Sequence, residues 1–170
     1  ADAEPTRAFY TSGGKTIPDF VPIHGRFSVC QEIRDHIETL EPGVHQFLPV
    51  EVVRPRSKRP ILRLDGRVLD TPYYILNIMS VLDPIWVERS SVKVRDFTTR
   101  PPSVRLFTLG YTEEHIAIYA AVLREEIIGG HHLWRGGYHC NGEIFFSDAL
   151  MDEVRKRRWK ALNTWHMDEA

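Results

Sequence analysis

Residues 27–53 read FSVCQEIRDHIETLEPGVHQFLPVEVV, and the fold follows from this stretch. Val29 closes a short strand and a helix starts at Cys30. Ile33 and Ile37 recur four apart, with Leu40 three further on, so one stripe of the helix is apolar. Glu41-Pro42-Gly43 stops it, because proline cannot continue a helix and glycine supplies the permissive backbone after it. Past the turn, Val44, Gln46, Leu48, Val50 and Val52 share one strand face, while Phe47 and Glu51 point the other way. A strand, helix and strand of this kind can seed a core. The unit carries no chemistry of its own.

Outward from it, the chain reads as α+β, a mostly antiparallel sheet with two principal helices at about residues 30–40 and 147–162. Residues 1–18 form an N-terminal extension and 19–170 a single domain. Residues 7–11 suit a short strand, and 19–23 are extended because Pro18 and Pro22 forbid a helix. Residues 54–60 are basic and read as an exposed loop. Residues 62–69 suit a hairpin around Asp65-Gly66, a dipeptide fit for a type I′ turn. YYILNIMSVL, residues 73–82, is the best central strand, and 86–94 and 104–109 suit further strands. Over 112–128, Ile116, Tyr119, Ala120, Leu123 and Ile127 have helical spacing with Gly129-Gly130 as a stop, yet 116–123 serve equally as a buried strand. After an extended stretch at 131–135, turns fall at Gly136-Gly137 and Asn141-Gly142, and a strand at 143–146. Ser147 is a good N-cap for a last helix with Ala149, Leu150, Val154 and Trp159 on its apolar face. Phe27 to Cys30 and Ile144 to Ser147 echo each other as strands entering helices, a likeness that strand-to-helix junctions share in general.

Composition narrows the function. The chain has 170 residues and a formal net charge of -1, which disfavours a general nucleic-acid binder or an acidic mimic of nucleic acid. The basic runs at 54–59 and at Arg155-Lys156-Arg157-Arg158 read as a solvated loop and a solvated helix face. No apolar run approaches the roughly 20 residues of a membrane-spanning helix. Two cysteines, Cys30 and Cys140, make no disulfide framework for a chain this size, so a reduced compartment, with cytoplasm as the default, is the simplest expectation. An opening Ala-Asp-Ala-Glu fits a trimmed start and a processed export signal alike.

Three blocks resemble one family in order. FSVCQEIRDHIETLEPGVHQFLPVEV is similar to the N-terminal signature of the Imm11 immunity proteins of bacterial polymorphic toxin systems. YYILNIMSVLDPIWVERS resembles their central strand, and HHLWRGGYHCNGEIFFSDALMDEV their closing segment. The likeness covers most of residues 19–155 and leaves out the loop at 54–70 and the tail after Arg155. Cys30 stands where the family has a capping serine, so this helix start should be weaker. The family pattern also favours strand over helix at 116–123. The resemblance implies a non-catalytic protein that binds a cognate toxin and blocks it by steric occlusion. It names neither the toxin nor the stoichiometry.

Candidate sites are few. His131, His132, His139 and Cys140, with Glu143 behind, are the residue types of a zinc site or a small metal-dependent hydrolase. Adjacent strand residues point to opposite faces, however, and no repeated metal-binding spacing supports a site. The expectation is therefore no metal and no cofactor. Cys30 at a helix start could be an activated thiol paired with a histidine, but Val29 and Ile33 turn that junction to the core. Trp86 with Glu88 and Arg89, and Trp134 with Arg135, combine the side chains enriched where proteins bind tightly, and serve equally as sheet core. With Glu113, Glu114 and His131 they make up the candidate partner surface. Against a basic nuclease toxin, Asp83, Glu88, Glu113 and Glu114 would be complementary contacts. A scaffolding or regulatory domain with another protein partner is the remaining alternative.

Overall fold

A computed structural model describes residues 6–10, 15–23, 25–54, 59–90, 95–97, 104–106, 122–137, 143–160 and 168–169. The chain divides into two compact units, Ala1–Met79 with Asp148–Leu162, and Ser80–Ser147 with Asn163–Ala170.

The first unit carries β1 (Thr6–Phe9), β2 (Thr16–Ile17), β3 (Phe20–Ile23), β4 (Arg26–Val29), α1 (Gln31–Leu40), β5 (Gln46–Val53), β6 (Leu62–Arg63) and β7 (Tyr73–Asn77). Five of the strands form one sheet in the order β1-β5-β7-β4-β3. β7 takes the middle because it is apolar on both faces, with Tyr73, Ile75 and Leu76 all buried. Its pairings with β5 and β4 are antiparallel, as is β3 with β4, whereas β1 joins β5 in parallel. The fold is α+β as expected, but its sheets are mixed, and parallel pairs recur in β2–β6 and elsewhere.

Cys30 is the N-cap of α1, and its thiol makes no capping hydrogen bond. Ile33 and Ile37 are buried, and the Glu41 amide donates to the Ile37 carbonyl at 2.8 Å before the chain turns at Gly43, φ +69°. The ladder opposes Phe47 to Leu76 and Pro49 to Tyr74, so these share a sheet face. α1 lies on that face. The Tyr74 hydroxyl donates to Gln31 Oε1 at 2.6 Å, and the Arg34 guanidinium sits 5.5 Å from the Tyr74 ring and 5.8 Å from that of Phe47. On the opposite face Val50 and Tyr73 are buried, but Leu48 stays 43% exposed, so the apolar face of β5 is core at one end only.

The hairpin after β6 forms with a different turn. The Gly66 amide donates to the Arg63 carbonyl and the Arg63 amide to the Arg67 carbonyl. Gly66 has φ +87° whereas Asp65 is not left-handed, and a type I′ turn needs both. The loop is instead a three-residue connection with a glycine bulge, steadied by the Arg67 amide donating to Asp65 Oδ1 at 3.0 Å.

The second unit carries β8 (Val81–Leu82), a 3-10 turn at Val87–Arg89, β9 (Arg95–Phe97), β10 (Val104–Leu106), β11 (Val122–Leu123), α2 (Glu125–Ile128), β12 (Leu133–Gly136), β13 (Ile144–Phe146) and β14 (Asp168–Glu169). β12 pairs antiparallel with β13 and parallel with β8, β9 pairs with β10, and β11 runs parallel to β14. The strand expected over 73–82 is thus two strands in two units. It breaks because the Met79 amide leaves the ladder to donate to His45 Nδ1 at 3.3 Å. The strand expected over 86–94 is a turn at Val87–Arg89, and 91–94 lie outside the described residues. Of 112–128, residues 112–121 lie outside them too. Val122–Leu123 is strand, followed by the single helical turn α2, which Gly129 stops at φ +55°.

α3 (Asp148–Arg157) buries Leu150, Met151 and Val154. It ends short of residue 162 because Arg158 takes a left-handed conformation, φ +57°. The Arg158 amide then donates to the Arg155 carbonyl and the Trp159 amide to the Val154 carbonyl, both at 3.1 Å. That pair of bonds closes the helix in a Schellman motif.

Candidate partner-binding surface

Trp86, Glu88 and Arg89 meet on one locked turn. The Arg89 amide and the Ser90 hydroxyl both donate to the Trp86 carbonyl, at 3.1 and 2.6 Å. Ser90 Oγ also accepts the Val122 amide at 2.8 Å, and the Trp86 amide donates to the Val122 carbonyl at 2.8 Å. A serine hydroxyl bonding locally in this way offers the backbone an alternative to a strand ladder. The Arg89 guanidinium lies 4.9 Å from the Trp86 ring centroid, a cation–π contact, with Glu88 and Arg89 exposed and Trp86 half-buried. Such a turn holds an amphipathic ring and both charge signs at little further loss of side-chain freedom.

The other sequence candidates divide. Trp134 is 1% exposed, its ring stacked on Phe145 at 5.5 Å, so it supports the β12–β13 ladder from within. Arg135, its neighbour, is exposed and registers with Val81 on β8, itself 53% exposed, so these two make an open row of charge and aliphatic surface. His131 is half-buried with Nδ1 3.3 Å from the Ser80 hydroxyl, and His132 Nδ1 is 2.9 Å from the Ser147 hydroxyl. Asp83 is half-buried. Glu113, Glu114, His139 and Cys140 lie outside the described residues. Among the described residues no three or more His, Cys, Asp and Glu side chains gather as a metal ion would need.

Two buried polar centres in the first unit were not singled out by sequence. Arg63, its side chain 7% exposed, hydrogen-bonds Glu32, lies 3.7 Å from Asp19 and reaches the Cys30 sulfur at 3.9 Å. Asp19 Oδ2 accepts the Lys160 amide at 2.9 Å, and the Tyr73 hydroxyl donates to the Pro18 carbonyl at 2.8 Å. Burial pushes the Cys30 thiol up to about 12, so the residue is a packed core group rather than a nucleophile. Burial also acts to raise the Glu32 carboxyl, but the Arg63 hydrogen bond and charge help outweigh it and leave the group below its ordinary value. The second centre is His45, whose Nε2 lies 3.0 Å from Glu41 Oε2. A backbone amide can only donate, so Nδ1 must accept from Met79. The ring proton is therefore on Nε2 and points at the carboxylate. Arg63 meets Glu32 across 31 residues and His45 meets Met79 across 34, distances the local sequence does not signal, although Glu41 lies only four residues from His45.

No helix among the described residues is long and apolar enough to cross a membrane. A comparison with curated proteins gave no match. The family model described as "Immunity protein family (Imm11)" matches residues 2–169, a span that includes the Trp86 turn, both buried centres and nearly all of both units. The chain belongs to the Imm11 immunity protein family.

Proposed function

We propose that this protein neutralises a cognate toxin domain by binding it and covering its active site, without catalysing a reaction. The observation that carries this reading is the family match across almost the whole chain, since an immunity protein works on a toxin partner. Steric blockade requires area and fit more than any reactive group. The Trp86–Arg89 turn supplies what an interface centre uses, a rigid aromatic–arginine pair with a carboxylate beside it. Glu88, His131 and Arg135 are proposed as further contacts in the second unit, together with Glu113 and Glu114. Trp134 acts indirectly, by holding the strand that carries Arg135.

The test is co-expression with the toxin encoded beside this gene. Cells making that toxin alone should stop growing, and adding this chain should restore growth through a complex that survives size-exclusion chromatography. Rescue with no physical association, or turnover of the toxin's substrate or product by this chain alone, would overturn the proposal.

A further inference from the structure

The end of α3 is a second charged feature, and five of the six residues from 155 to 160 are cations in a chain whose net charge is -1. Arg155 pairs with Asp152 at 3.0 Å, Lys156 with Glu153 at 3.3 Å, and Arg157 hydrogen-bonds Glu153 as well. Arg158 and Lys160, both exposed, have no carboxylate partner among the described residues. Trp159 between them is half-buried, with the Arg157 guanidinium 5.7 Å from its ring and the His36 ring at 6.1 Å.

Arg158 is also the single non-glycine residue with positive φ among the described residues. The position that closes a Schellman motif is one that glycine takes freely and a side chain resists. A side chain kept in such a conformation, exposed and without an ion pair, points to use rather than to stability.

We propose that Arg158 and Lys160, framed by the fixed Trp159 ring, form a docking point for a cluster of carboxylates on the toxin. This rests on the reading that the chain binds a toxin, and adds where the first unit touches it and with what charge. A folded acidic patch fits better than a phosphate backbone or an anionic membrane. Asp148, Asp152 and Glu153 share the helix with the cations and would repel an extended polyanion, and the chain as a whole supplies no surplus of positive charge.

The experiment measures toxin association by stopped flow at low and high salt for the wild type, Arg158→Gly with Lys160→Gln, and Arg158→Lys with Lys160→Arg, alongside thermal melting. The neutral pair is expected to melt about 2–4 °C higher, because glycine relieves the left-handed strain. It should nonetheless associate about tenfold more slowly at low salt, with a flatter salt dependence. The charge-preserving pair should associate at close to the wild-type rate. A duplex DNA oligonucleotide and phosphatidylserine vesicles are the competing probes. An unchanged association rate in the neutral pair overturns the docking point and leaves toxin binding standing, as does binding of either probe as tight as that of the toxin. Failure of the wild type to bind the toxin overturns both.

Discussion

His45 and Glu41 face each other across 3.0 Å, Nε2 to Oε2, with the imidazole fully buried and the carboxylate 6% exposed. One residue closes α1 and the other starts the run into β5, so the bond fixes the corner of the unit that organises the fold. Replacing His45 with phenylalanine keeps much of the ring volume but removes this bond and the acceptor for the Met79 amide. A loss of about 2–3 kcal/mol is expected, read as a lower urea midpoint. Replacing Glu41 with leucine at the same time should recover part of the loss, because the carboxylate is no longer buried beside an apolar ring.

The Arg63 centre gives stability a pH dependence. The folded Glu32 carboxyl lies below its unfolded value, so its contribution is fully present above the ordinary carboxylate range. It is lost as pH falls from about 4.5 through the folded value. Melting temperatures between pH 7 and pH 3 should fall in the acid limb, and Glu32→Gln should flatten that limb while lowering the plateau. Arg63→Met, which leaves Glu32 and Asp19 facing each other without the cation, should cost about 3–5 kcal/mol at neutral pH.

The two tryptophans should separate stability from binding. Trp134→Ala empties a core position stacked on Phe145 and is expected to cost about 3–5 kcal/mol in denaturant unfolding. Trp86→Ala, at the half-buried turn, should cost under about 1 kcal/mol of stability. It should instead weaken toxin binding about 30-fold by calorimetry, the size of an interface anchor's effect.

Cys30 should be chemically silent. With its thiol at about 12 and 1% exposure, iodoacetamide at pH 8 is expected to leave it unmodified in the native protein and to label it within minutes in urea. Mass spectrometry of the peptide containing residue 30 reads the difference.

The elements legible in the sequence were those whose partners are local. The Ile33 and Ile37 stripe, the Glu41-Pro42-Gly43 stop and the apolar start of YYILN fixed α1, β5 and β7, and all three stand in the structure. The misread ones were decided by groups distant in the chain or by single backbone conformations. Residues 73–82 keep their apolar pattern past Asn77, but His45, 34 residues away, takes the Met79 amide and ends the strand. α3 keeps its helical spacing past Arg157, yet one left-handed residue closes it. On the candidate surface both tryptophans were decided by distant partners. Trp86 and Arg89 would face opposite sides of the strand expected over 86–94, and they pair only because Ser90 and the distant Val122 hold a turn there, just as the burial of Trp134 follows from its register with Phe145 across a ladder.

One contact sets the order in which the molecule can be completed during synthesis. The Lys160 amide donates to Asp19 Oδ2 across 141 residues and its carbonyl accepts the Phe20 amide, and α3 belongs to the unit begun by β1. The ribosome must therefore release the chain through Lys160 before this closure can form, and joining segments so far apart is slow. A nascent product that stops short of residue 160 lacks this clasp, so the toxin binding proposed above should require chains that extend past it.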